Sequence, residues 1–247
     1  MARFFITGSS DGIGSATARH LISLGHNVVL HARSPSRAAD AASLCPGSAA
    51  VLVGDLSSID ETKALAAEAN KLGPYDAVIH NAGLYTGAEK ITGKSGLPAL
   101  FTVNTLAPYV LTCLMDKPKR LVYVSSGLHY GGKLDLGEGL VRSGYGDTKL
   151  HNVMLAKAFA RRWENVGSYS ADPGWIATKM GGEGATGSMK GAVRTYTMLA
   201  LGEDGLTNGG FYASGREKGV NKVADDVDGQ EGLLKKLEQL SGVKVPE

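Results

Sequence analysis

"RFFITGSSDGIG", residues 3–14, runs a short apolar stretch straight into a turn with three glycines. Phe4, Phe5 and Ile6 are contiguous, with no polar residue between them, as in a strand covered on both faces. Gly8, Gly12 and Gly14 then permit a tight turn whose backbone a ligand can approach closely. A helical pattern starts at about residue 12, and a helix N-terminus attracts negative charge. Strand, glycine turn and helix in that order make a seat for a phosphate, with Ser10, Asp11 and Ile13 completing its rim. A glycine turn alone is as often purely structural; the position after the first strand is what gives it weight.

Further short apolar runs follow: "NVVLHA" (27–32), "AAVLVG" (49–54), "YDAVIH" (75–80), "RLVYVSS" (120–126), then the weaker "GSYSA" (167–171) and "GGFYAS" (209–214). Helical patterns lie between them, near 12–26, 34–44, 57–72, 97–116, 145–165 and 187–202. This alternation predicts the α/β class: a single-domain Rossmann-type, doubly wound parallel sheet of about seven strands with helices on both faces. Repeats and long linkers are absent, so residues 1–247 read as one domain, with 216–247 a polar tail. Ligands of such sheets bind beyond the carboxyl ends of the strands.

Composition narrows the function. The 247 residues are 43% hydrophobic, enough for one large core, and the net charge is only +2 with both signs mixed along the chain. No basic cluster with interleaved aromatics speaks for nucleic acid. No run approaches 18 apolar residues, and the first residues leave no room for a signal peptide, so a soluble cytoplasmic protein is expected. Cys45 and Cys113 belong to no CxxC pattern and read as small core residues. The six histidines have no metal-ligand spacing, so no metal is expected.

The glycine spacing is GxxxGxG, which differs from the common GxGxxG dinucleotide fingerprint. In that fingerprint an acidic residue about twenty positions on holds an NAD ribose hydroxyl. Here the tip of strand 2 reads "HARSPSR", with Arg33 and Arg37 and no carboxylate. An arginine there can pair with a 2′-phosphate, which favours NADP (NADPH) over NAD; a solvated loop arginine is the alternative. "GAEKITGKS" (87–95) looks like a P-loop but has five residues between its glycines where the motif requires four, and no strand immediately precedes it.

"YGDTK" (145–149) places Tyr145 and Lys149 one helical turn apart. Composition alone would produce about half a Tyr-x-x-x-Lys in this chain, so the pair by itself is weak. With "TGSSDGIG" (7–14), "GDLS" (54–57), "NAG" (81–83), "VNTLAPY" (103–109), "VYVSSG" (122–127) and "DPGWIATKM" (172–180) it becomes one of seven motifs in a fixed order. Over residues 3–215 the chain resembles a short-chain dehydrogenase/reductase. The 19-residue interval from Ser126 to Tyr145 is similar to the retinol-dehydrogenase-like branch.

The resemblance implies an NADP-dependent oxidoreductase acting on CH–OH or C=O, of the carbonyl reductase type. It implies that Gly8, Ser10, Asp11, Gly12, Ile13 and Gly14 cradle the cofactor and that Asp55 and Leu56 border the adenine. Asn81, Ala82 and Gly83 would line the cofactor after strand 4, with Pro173, Gly174, Ile176 and Thr178 covering the nicotinamide carboxamide. Asn104, Ser126, Tyr145 and Lys149 match the catalytic tetrad, and Lys149 would also bond the nicotinamide ribose. Asp11 departs from the basic residue common in NADP-dependent members, which leaves Arg33 to carry the preference. The segment between Asn104 and Ser125 is shorter than usual, trimming a helix that often builds the dimer face; a homodimer or homotetramer is still implied.

In reduction, Tyr145 would protonate the carbonyl oxygen and Ser126 would hydrogen-bond it as charge develops. The Lys149 ammonium would lower the phenol's pKa from its usual value near 10, and Asn104 would hold a water linking Lys149 to solvent. Read singly, Ser126 could cap a strand end and Asn104 could fix a helix. His129, Tyr130, Trp175 and Met180 are candidate substrate contacts, so a small, largely apolar or aromatic carbonyl or secondary alcohol is expected. Two readings compete: a non-catalytic NADP sensor, and a nucleotide-sugar epimerase or dehydratase. The intact tetrad opposes the first, and the turn spacing and the lack of a further substrate domain oppose the second.

Overall fold

A computed structural model describes residues 1–85 and 87–246; Thr86 and Glu247, the end of the expected 1–247 domain, lie outside the described residues. Phe4 and Ile6 of β1 (Arg3–Ile6) point into one hydrophobic layer and Phe5 into the other, which is why the strand is apolar without alternation. Seven strands are parallel, in the order β3 (Ala50–Val53), β2 (Asn27–Ala32), β1, β4 (Ala77–His80), β5 (Arg120–Val124), β6 (Gly167–Asp172) and β7 (Phe211–Ala213). The order reverses between β1 and β4, so the loops after these two strands open into one crevice.

Helices α1 (Gly12–Ser23), α2 (Pro35–Leu44) and α7 (Met189–Leu201) cover the face that buries Phe4, Leu30, Ile79 and Val122. On the other face α3 (Ile59–Asn70), α5 (Ala107–Leu114) and α6 (Tyr145–Arg162) pack on Phe5, Val29, Val78 and Tyr123. A short α4 (Ala99–Phe101) joins α5 through a π-turn at Thr102–Leu106. Such turns put one extra residue into a helix and often mark functional sites.

The sheet has one strand more than expected. β8 (Arg216–Lys218) folds back on β7 as an antiparallel edge with all three residues exposed, so it lacked the apolar signal of the others. The polar tail expected over 216–247 is also corrected. Helix α8 (Val227–Ser241) buries Leu233, Leu234 and Leu237 beside α6, and Gly242 ends it in the left-handed conformation (φ 68°). Glu231 pairs with Arg161 and Arg162 of α6, and the Tyr109 hydroxyl of α5 donates to the Val243 carbonyl at 2.7 Å. Among the described residues no helix is long and apolar enough to cross a membrane.

Three histidines besides His129 are buried in this framework. His80 stacks on Tyr123 and meets Thr112, His151 meets Thr105, and His31 is fixed between strand ends. Burial lowers their pKa values to about 3 for His80 and about 4 for His151 and His31. In the unfolded chain each takes a proton near pH 6.5, so the folded state binds fewer protons between that pH and about 4. Stability is therefore complete above pH 6.5 and should fall on acidification by up to about 1.4 kcal/mol per pH unit for each histidine. Urea unfolding at pH 7.5 and 5.5 measures this. Equal midpoints at the two pH values would contradict it.

Candidate active site

The turn after β1 is built from its glycines outward. Gly8 and Gly12 have φ of 62° and 57°, a backbone conformation that L side chains rarely adopt. Gly14 has no room for a side chain, because a Cβ would stand 2.5 Å from both Asn81 Nδ2 and the Gly8 carbonyl oxygen. Asn81, at the exit of β4, donates to the Thr7 and Gly8 carbonyls at 2.9 Å each, and Thr7 Oγ1 accepts from the Ala82 N–H at 3.0 Å. The expected residues after β4 thus brace the turn across the crevice.

His31 braces it from below. Its Nδ1 accepts from the Gly8 N–H at 3.0 Å, and its Nε2 donates to the Gly54 carbonyl at 2.8 Å, which fixes one neutral tautomer. Beside it, Ser9 Oγ donates to the Ile6 carbonyl and accepts from the His31 N–H, both at 2.9 Å. The sequence reading missed this role. Its signal was a single histidine inside an otherwise apolar strand, one residue from the tip.

The two arginines after β2 differ. Arg37 is spanned by Asp11 and Asp40, each at 2.5 Å, and its Nη2 reaches Ser10 Oγ at 3.1 Å. Arg33 is exposed and has no hydrogen bond or ion pair among the described residues. Asp55 pairs with Lys94 at 3.3 Å, and Leu56 is buried beneath it. The loop after β6 comes back over the cradle. Thr178 Cγ2 lies 3.5 Å from where a Gly12 Cβ would be, and Lys179 Nζ approaches Asp11 at 3.8 Å. Gly174, at φ 83°, makes the turn, with its N–H on Asp172 Oδ1 at 2.8 Å behind Pro173, while Ile176 is buried.

Asn104 sits on the π-turn, fully buried. Its Oδ1 accepts from the Leu84 N–H at 2.7 Å, and its Nδ2 donates to the Leu84 carbonyl and to Thr148 Oγ1. Both amide protons are thereby given to protein groups, and the loop after β4 is tied to α6. A Cβ on Gly83 would lie 3.4 Å from both Asn104 Oδ1 and Lys149 Nζ, so this position stands beside both side chains.

Lys149 is 97% buried and its Nζ donates to the Val124 carbonyl at 2.9 Å. Burial lowers its pKa to about 8, opposed by the Asp172 carboxylate. Tyr145 opens α6; its ring centroid lies 5.3 Å from Lys149 Nζ and 4.7 Å from the Tyr85 ring, edge-on. Burial raises the Tyr145 pKa to about 12 although a hydrogen bond with Ser126 works the other way. This corrects the expected lowering by Lys149: desolvation dominates, and the lysine's ammonium is turned to the Val124 carbonyl. The phenol keeps its proton at neutral pH and can release it to a strongly basic oxygen.

Ser126 caps the turn Gly127–Gly131, with its Oγ accepting from the Leu128 N–H at 3.2 Å. Of the expected substrate contacts, Tyr130, Trp175 and Met180 are exposed on the loops after β5 and β6. His129 is not. It is wholly buried between the rings of Tyr130 and Phe211, because its imidazole bonds inward to the chain, so it forms no part of an exposed wall. Asp172 and Tyr85 also belong to this neighbourhood and were not singled out from sequence.

A family model described as short chain dehydrogenase matches residues 3–187. An uncharacterized oxidoreductase of Emericella nidulans is 53% identical, covering 100% of this chain and 99% of its own length. Short-chain dehydrogenase chyC of Penicillium rubens is 43% identical over the whole of both chains. Mouse retinol dehydrogenase 14 is 31% identical over 71% of this chain and 61% of its own length. A blue fluorescent protein from a metagenomic library, solved in complex with NADPH, has a TM-score of 0.71 at 22% identity, covering 86% of this chain and 95% of its own.

The cradle makes a direct prediction. Gly14→Ala puts a methyl group against Asn81 and the Gly8 carbonyl. The dissociation constant for a reduced nicotinamide dinucleotide, read by fluorescence titration, should rise at least tenfold, about 1.4 kcal/mol. Unchanged affinity would contradict the cradle.

Proposed function

This chain belongs to the short-chain dehydrogenase family and is an oxidoreductase, and we propose that it transfers hydride between NADP(H) and the carbonyl or secondary alcohol of a small, largely apolar or aromatic molecule. The observation that carries the proposal is the grouping of Tyr145, Ser126 and the buried Lys149 at the carboxyl ends of β4, β5 and β6, the same end of the sheet as the glycine turn after β1.

The residues of the turn fit a dinucleotide. Gly14 lets α1 pack directly against Asn81 and the Gly8 carbonyl, and the α1 N-terminus and the turn's backbone suit a diphosphate. Arg33, exposed at the tip of β2 with no carboxylate partner among the described residues, supports a preference for the 2′-phosphate, as does the NADPH held by the similar solved structure. When bound, the nicotinamide supplies or accepts the hydride.

The chain's own groups do the rest. As hydride reaches the carbonyl carbon, the Ser126 hydroxyl donates to the oxygen and Tyr145 passes it the phenolic proton. Lys149, mostly protonated at neutral pH with its pKa near 8, places a positive charge beside the phenolate that remains. Asn104 holds the loop after β4 against α6 so that these distances persist. Tyr130, Trp175 and Met180 offer apolar and aromatic surface at the mouth, which suits an uncharged substrate.

Assays of NADPH oxidation against a panel of aldehydes and ketones test this reading. Tyr145→Phe should lower kcat by roughly 10² to 10⁴ and leave NADPH binding intact. Arg33→Ala should weaken NADPH and leave NADH unaffected. Turnover insensitive to Tyr145→Phe, or cofactor binding without turnover of any carbonyl, would sink the proposal.

A further inference from the structure

His129 and the chain beyond residue 216 had no connection in the sequence, and the structure joins them. His129 Nδ1 lies 2.7 Å from the carbonyl oxygen of Ser126. That oxygen can only accept, so Nδ1 carries the proton and Nε2 accepts, from the Asn221 N–H at 3.4 Å. The Asn221 side chain is fully used as well. Its Nδ2 donates to the carbonyls of His129, Tyr130 and Gly132 at 3.3, 3.2 and 2.9 Å, and its Oδ1 accepts from the Val223 N–H at 3.0 Å. One asparagine thus spans three carbonyls of the turn that begins at Ser126, its two amide protons shared among them.

The same C-terminal stretch holds the rest of that insert. The Tyr130 hydroxyl donates to the Gly219 carbonyl at 2.9 Å. Leu134 and Leu136 reach over α8 where glycines leave space: a Cβ on Gly229 would stand 3.2 Å from Leu134, and one on Gly232 2.5 Å from Leu136. The insert between Ser126 and Tyr145 therefore rests on residues 219–232, which lie outside the stretch matched by the family model.

We propose that His129 and Asn221 are positioning residues for Ser126: they fix the turn that aims its hydroxyl at the oxygen being protonated by Tyr145. The inference rests on the carbonyl-reduction reading above. Ser126 Oγ accepts from Leu128 within this turn, so a shift of the turn rotates or displaces the hydroxyl. A residue that merely filled space there would change stability and leave the turnover of the folded enzyme alone.

The full-length protein with NADPH and a carbonyl that it reduces provides the test. In His129→Asn the amide nitrogen can replace Nδ1 and still donate to Ser126. His129→Gln places its amide near Nε2 and leaves the Ser126 carbonyl without that donor. His129→Gln and Asn221→Ala should lose roughly 10- to 100-fold in kcat, as expected for a displaced reacting group, with the KM for the carbonyl and the affinity for NADPH within about twofold. His129→Asn should stay within about threefold of the wild type. Nitrogen-15 NMR of the wild type supplies a readout apart from activity and should find the His129 proton on Nδ1.

Wild-type kcat in His129→Gln and Asn221→Ala, while Tyr145→Phe is inactive, would overturn this inference and leave the proposed reaction standing. A proton on Nε2 would overturn it too. No turnover by the wild type would remove both. Should Asn221→Ala fail to fold, the contrast between His129→Asn and His129→Gln decides.

Discussion

The site depends on a lysine held where water is excluded. Removing an ammonium from solvent is costly, and the fall in the Lys149 pKa from 10.5 to about 8 corresponds to on the order of 3 kcal/mol. That cost is carried by packing on every side. The Val124 carbonyl receives the ammonium, Ser125 Oγ donates to the Lys149 carbonyl, and Asn152 donates to the same Val124 oxygen. These bonds lock the start of α6 onto the end of β5. Tyr145 and Ser126 fall into place because they flank that contact.

The crevice on the other side of the switch point follows the same logic. Gly83 stands beside both Asn104 and Lys149, and Asn81 at the same strand exit pins the glycine turn. One short loop after β4 therefore links Lys149 and Asn104 to the glycine turn. Beneath the turn, His31 joins the ends of β1, β2 and β3 through one neutral tautomer. The proposed cofactor seat and the proposed proton donor share one base.

Much of this was legible from the sequence because it depends on local pattern. Apolar runs such as "RFFIT" and "NVVLHA" gave parallel strands, and the glycines of "TGSSDGIG" gave the turn. What could not be read depends on contacts distant along the chain. β8 is fully exposed and α8 contains Gly229 and Gly232, so neither carries a strong pattern until Leu134 and Leu136 are seen against those glycines. Spacing showed Tyr145 and Lys149 to be neighbours, yet the sign of the tyrosine shift depends on burial. His129 looked like an available aromatic and is a buried brace, since Asn221, 92 residues away, faces it.

The central claim is that Tyr145 and its neighbours serve a direct hydride transfer to a carbonyl carbon. The most direct measurement uses NADPH carrying deuterium at the transferable C4 position, followed by mass spectrometry or NMR of the alcohol. The expected result is one deuterium on the carbinol carbon and none when Tyr145→Phe replaces the wild type over the same interval. Cofactor oxidised with no deuterium in the alcohol would contradict it.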